Sequence, residues 1–148
     1  MVAIVGRSRS KAKGRAEYGR YFSVPHSVVC TEAFRSLSAN SHKLWLNLMV
    51  QYNGYNNGKI AAVYSQLKEY GWAEKSLSRS LIELQEKGFI KKTRQGGFGL
   101  GGKYCTYYRF THLPTAEIPL IGLRGGPPTS DFRRWTPEKK ASSQTDQG

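Results

Sequence analysis

Lys75, Ser76, Ser78 and Arg79 stand within five consecutive residues, and Lys91, Lys92, Arg94 and Lys103 follow soon after. Ammonium, guanidinium and hydroxyl groups at this density make neither a proton relay nor an activated nucleophile. They donate hydrogen bonds and positive charge, and the chemistry they suit is capture of a polyanion. The stretch 87–109 sharpens the point. It holds six cations, Lys87, Lys91, Lys92, Arg94, Lys103 and Arg109, and no acid. Such a run repels itself unless phosphates lie against it.

Signals for catalysis are weak. There is no Gly-x-Ser-x-Gly elbow, Walker loop or pair of carboxylates at catalytic spacing. Residues 21–113 hold five acids, three of them (Glu74, Glu83 and Glu86) in one predicted helix, a poor basis for a two-metal nuclease. The chain is expected not to be an enzyme. Gly97, Gly99 and Gly102 formally match a dinucleotide fingerprint, but that motif needs a helix after its glycines and here a tyrosine-rich strand follows. His26, His42, His112, Cys30 and Cys105 lack metal-ligand spacing, so neither metal nor cofactor is expected. Two cysteines cannot make a disulfide scaffold and read as buried thiols in a reducing cytoplasm. No stretch approaches the roughly 18 apolar residues of a membrane span, and the apolar run at 1–5 is too short for a signal peptide.

The elements that must position the cations fit a chain of 148 residues with a net charge of +13, enough for one domain with solvated ends. Residues 1–20 carry six basic residues and one acid and read as a disordered arm able to follow phosphates. Residues 21–113 form the folded domain. An extended lead-in over 21–29 precedes a short helix over 31–37, capped by Thr31. A buried central helix spans 40–52, with Leu44, Trp45, Leu48, Met49 and Tyr52 at helical spacing. A turn at 53–58 leads into a very short strand at 59–61. A helix over 62–70 then places Val63, Tyr64, Leu67 and Tyr70 inward and closes on Gly71. The next helix, about 74–87, buries Leu77, Leu81 and Leu84. Its outward residues are then Lys75, Ser76, Ser78, Arg79, Ile82, Glu83 and Glu86, with the cations and hydroxyls in its first two turns. Strands at 89–94 and 104–111 flank a mobile loop in which five of nine residues are glycine. Residues 114–148 read as a largely irregular tail, with docking open to Ile118, Leu120, Ile121, Phe132 or Trp135.

This order resembles an α+β winged helix-turn-helix domain: about four helices plus a C-terminal β-hairpin wing, with flexible N- and C-terminal tails. The likeness is carried by Leu67, Gly71 and Trp72, by Leu77, Leu81 and Leu84 followed by Gly88, Phe89 and Ile90, and by the basic hairpin. It covers about half the chain, roughly 30–112, and is similar to small regulators of bacterial chromosomes and mobile elements and to replication-initiator modules. The resemblance implies a cytoplasmic, nucleoid-associated bacterial protein that binds double-stranded DNA, with the 74–87 helix entering the major groove N-terminus first. Lys75, Ser76, Ser78 and Arg79 would then meet bases and phosphates, with Arg79 either reading guanine, touching phosphate or pairing with Glu83. Lys91, Lys92, Arg94 and Lys103 would track flanking phosphates. The sequence departs from the family habit at Ala73, where a capping side chain is usual, so the helix start could move toward Ser76. Transcriptional regulation is the leading expectation. A plasmid or phage replication factor is an alternative, as is a protein-interaction module, such as a phage-encoded inhibitor or assembly subunit, using Phe98, Leu100 or the C-terminal tail. Phe98 and Leu100 could instead wedge into a minor groove or fold back on the wing.

Overall fold

The computed structural model describes residues 19–100 and 102–138. The basic arm lies outside these residues except for its last two positions, as does 139–148. The described chain is α+β, with five short or medium helices and two small antiparallel sheets. The helices are α1 (His26–Val29), α2 (Glu32–Arg35), α3 (Ala39–Met49), α4 (Tyr64–Leu67) and α5 (Glu74–Glu86). The strands are β1 (Ile60–Ala61), β2 (Ile90–Arg94), β3 (Gly97–Gly99), β4 (Gly102–Tyr104) and β5 (Tyr107–Phe110). One sheet has the order β1-β5-β2, and β3 and β4 form a separate ribbon.

Local chemistry explains most boundaries. Thr31 caps α2 by accepting from the Phe34 amide at 3.3 Å, and Ser38 caps α3 by accepting from Ser41 N at 3.2 Å. The lead-in is not extended throughout: after Pro25, whose φ of −65° suits a helix start, residues 26–29 make a helical turn that buries Val28. The central helix α3 buries Leu44, Trp45, Leu48 and Met49 but leaves Leu46 exposed, so it is covered on one side only. The helix expected over 62–70 is four α residues followed by a 3-10 turn, Lys68–Tyr70. Tyr64 and Tyr70, expected inward, stay exposed. Gly71, at φ +89°, turns the chain so that Trp72 takes the inward place and donates from Nε1 to Asn47 Oδ1 at 2.9 Å.

The core joins α3, α5 and one face of the three-stranded sheet through Trp45, Leu48, Leu77, Leu84, Phe89 and Phe110. The glycine-rich loop is not structureless, because Gly97–Gly99 and Gly102–Tyr104 pair as an antiparallel ribbon. The long second strand expected over 104–111 is accordingly split at 105–106.

Residues 114–138 are irregular but closely applied to the domain. Bridges join Thr115 to Gly126 and Ile118 to Leu123, and Phe132, 1% exposed, stacks on Phe89 with ring centroids 4.9 Å apart. Leu120 remains exposed. Cys30 is also exposed, which corrects the expectation of two buried thiols, and Cys105 is half-buried.

His112 lies between the rings of Trp45 and Phe110, at 5.2 and 5.8 Å. Burial lowers its pKa from 6.5 to about 4. The folded protein thus keeps the imidazole neutral where the unfolded chain takes up a proton. Stability should be complete above pH 6.5 and fall as pH drops toward 4, by about 3 kcal/mol in all. Denaturant titrations across that window should show the slope, and His112→Gln should flatten it. An equal slope in both proteins would remove His112 as its source.

Candidate nucleic-acid interface

Helix α5 begins at Glu74 even though Ala73 offers no capping side chain, so the start does not shift toward Ser76. Glu74 in the first turn supplies favourable negative charge instead. Leu77 and Leu84 are buried and Leu81 half-buried, as the periodicity requires. Lys75, Ser78 and Arg79 are therefore exposed, and Ser76 is half-buried. At 100° per residue, Lys75, Ser78, Arg79, Ile82, Gln85 and Glu86 share one arc of the helix.

Arg79 does not pair with Glu83. The Glu83 carboxylate accepts from the Ser38 amide at 2.7 Å and lies 3.8 Å from Lys87 Nζ. Arg79 has no ion pair among the described residues.

The same geometry takes Lys87 out of the cationic run. It is 7% exposed, donates to the Ser36 carbonyl at 2.9 Å and to its hydroxyl at 3.1 Å, and lies 4.9 Å over the Trp135 ring. Arg94 is also engaged internally. It donates to the Cys105 carbonyl at 2.9 Å, and its guanidinium lies 4.0 Å from the Tyr107 ring and 4.8 Å from that of Tyr104. Neither residue points a free charge outward as the sequence suggests. Arg109, half-buried, donates to Thr129 Oγ1 at 3.2 Å.

Lys91, Lys92 and Lys103 remain exposed, with Lys92 donating to Gln95 Oε1 at 3.1 Å. The α5 and β2 surfaces meet at a shallow cleft of about 360 Å³, lined by Gln85, Gly88, Ile90, Lys91, Lys92 and Asp131. Ser78 lies two turns before Gln85 on almost the same helical stripe and so extends this edge toward the start of α5. Arg79 lies about 120° around the helix from Gln85, at the far edge of the exposed arc. No family model, curated protein or solved structure matches this chain.

Two members of the cleft escape the sequence reading. Gln85 looks like a plain surface residue, and only the turn at Gly88 brings it against Lys91 and Lys92. Asp131 belongs to the segment read as tail; its carboxylate accepts from Arg134 at 3.2 Å, which tempers its repulsion of an anion. Among the described residues no cluster of His, Cys, Asp or Glu could hold a metal ion, and no helix is long and apolar enough to cross a membrane.

Proposed function

We propose that this chain binds double-stranded DNA as a winged helix-turn-helix domain, with α5 in the major groove and the β2–β5 hairpin along the flanking phosphates, and that it serves transcriptional regulation. The observation that carries the reading is the exposed arc of Lys75, Ser78 and Arg79 on a helix whose edge adjoins Lys91 and Lys92. The topology supports it: helix, short strand, helix, glycine turn and helix precede a hairpin whose second strand pairs with both β1 and β2. With Glu83 drawn to Ser38 and Lys87, the N-terminal half of the arc bears no acid, and Glu74 lies just beside its edge. Lys75 and the strand lysines supply charge, and Arg79 supplies the planar fork that pairs with guanine.

Selection of bound sites from random duplex DNA, followed by salt titration, tests the proposal. Binding should weaken steeply with salt. Replacing Lys91 and Lys92 together by Ala should weaken all sequences alike and reduce the slope of log K against log salt by about 1.8. Arg79→Ala should instead relax sequence preference at one position, by roughly 1–3 kcal/mol of discrimination. A pool that yields no enriched motif, with an unchanged salt slope in the lysine variant, overturns the assignment.

A further inference from the structure

The β3–β4 ribbon has two unlike faces. Its register sets Gly97 opposite Tyr104, Phe98 opposite Lys103 and Gly99 opposite Gly102. Strand alternation puts Phe98 and Lys103 on one face and Gly97, Gly99 and Tyr104 on the other. The second face is filled by the Tyr104 ring. A Cβ at Gly97 would lie 3.3 Å from its hydroxyl oxygen, and one at Gly99 would lie 3.2 Å from its ring carbon Cε1. Tyr104 is held by the Arg94 guanidinium, itself stacked on Tyr107 and bonded to the Cys105 carbonyl, while Gly96 N donates to Thr106 Oγ1 at 2.9 Å. Phe98 therefore cannot fold back across the ribbon and is 83% exposed, while Leu100 at the turn is fully exposed.

A ring held out in water on a braced, glycine-flanked ribbon needs an occupant that accepts both an apolar plane and positive charge. Lys103 lies directly across from Phe98, and Lys91 and Lys92 stand on the strand that leads to the ribbon. An apolar protein surface would have to bury the Lys103 ammonium, whereas a base step takes the ring and its phosphates take the ammonium. The glycines on either side of Phe98 let the backbone approach a groove closely. We propose that the ribbon enters the minor groove beside the α5 site and inserts Phe98 between adjacent base pairs, kinking the duplex. This rests on the DNA-binding reading and adds to it a deformation that the cations alone do not produce.

The test uses the full chain and an A·T-rich duplex of about 24 bp, end-labelled for energy transfer and carrying 2-aminopurine beside a central TA step. Wild-type protein should shorten the end-to-end distance, through a bend of tens of degrees, and raise 2-aminopurine fluorescence as the step unstacks. Phe98→Ala, at an exposed site that leaves the fold intact by circular dichroism, should bind roughly tenfold more weakly and give neither signal. The Lys91→Ala, Lys92→Ala protein should lose affinity and, at saturation, still bend the duplex. Salt-sensitive binding by the wild type without bending or unstacking, equalled by Phe98→Ala, overturns the wedge and leaves the DNA-binding reading standing. No binding to duplex at low salt overturns both. Sedimentation showing a dimer that Phe98→Ala dissolves, with no change in DNA bending, assigns the ribbon to a second copy and also overturns the wedge.

Discussion

Asn57→Ala is expected to lower the unfolding free energy by about 4 kcal/mol and the Tm by more than about 10 °C. Asn57 is 1% exposed, and its amide is fully engaged. Its Oδ1 accepts from Phe110 N at 2.7 Å, while Nδ2 donates to the carbonyls of Phe110, Leu113 and Pro114 at 2.9, 3.2 and 2.9 Å. Its own carbonyl accepts from Ala116 N at 2.8 Å. One side chain thus ends the β5 ladder and turns the chain into the C-terminal segment. Alanine would leave the buried Phe110 amide and carbonyl, and the part-buried Leu113 and Pro114 carbonyls, without that partner, and each buried orphan costs about 1–3 kcal/mol. Asn57→Asp is the sharper variant. It keeps the acceptor for Phe110 N but sets a carboxylate against three carbonyl oxygens, so it should destabilise at least as much at neutral pH. Chemical denaturation of both variants decides the matter; a loss below about 1 kcal/mol in each would mean that the segment holds itself in place without the clasp.

Nothing in the sequence singles out Asn57 from the other asparagines of the 53–58 turn cluster, because its partners lie more than fifty residues away. The helical turn at 26–29 was not expected and the 62–70 helix is shorter than expected, but α2, α3 and α5 were legible for the opposite reason. Their determinants are local: Thr31 and Ser38 cap within three residues, and the Leu77, Leu81, Leu84 spacing fixes which side of α5 faces out. The β1, β2 and β5 strands were also visible, because Ile60 follows the 53–58 turn, the β2 run lies between Gly88 and Gly96, and β5 is rich in aromatic residues. What failed was the charge count. Lys87 and Arg94 carry the same formal charge as Lys91 and Lys92, yet Ser36 and Trp135 hold the first, and Tyr104, Tyr107 and Cys105 hold the second. Long cationic side chains commonly lay their stems on apolar or aromatic surface, and only the tertiary fold says which do. The ribbon was hidden because glycine has no strand propensity, so pairing of Gly97–Gly99 with Gly102–Tyr104 depends on the Tyr104 ring and on the Thr106 hydroxyl beyond the ribbon rather than on the glycines.

Gly88→Ala should destabilise by about 3 kcal/mol, and Gly71→Ala by only about 1 kcal/mol, although both glycines sit at similar positive φ, +82° and +89°. Each ends a helix in the left-handed conformation, so the backbone strain of adding a Cβ is shared. The surroundings differ. At Gly71 the nearest atom to a new Cβ is the end of the Lys43 side chain, at 3.7 Å, which is ordinary contact. At Gly88 the new Cβ would lie 2.7 Å from the Phe132 amide nitrogen and 2.8 Å from the Asp131 carbonyl carbon, both backbone atoms. Relief requires the 131–134 turn to move, which disturbs the Phe89–Phe132 stack and the Ser130 N to Thr111 O hydrogen bond of 2.8 Å. Gly88 also shapes the reversal in which Phe89 N donates to Leu84 O at 2.8 Å, and that reversal sets β2 against α5. Denaturation of the two variants side by side separates crowding from strain, and hydrogen exchange should locate the added loss at 131–134. Equal destabilisation by the two substitutions would show that the C-terminal turn yields freely. In that case the cleft between Gln85 and Lys92 would owe its shape to the hairpin alone.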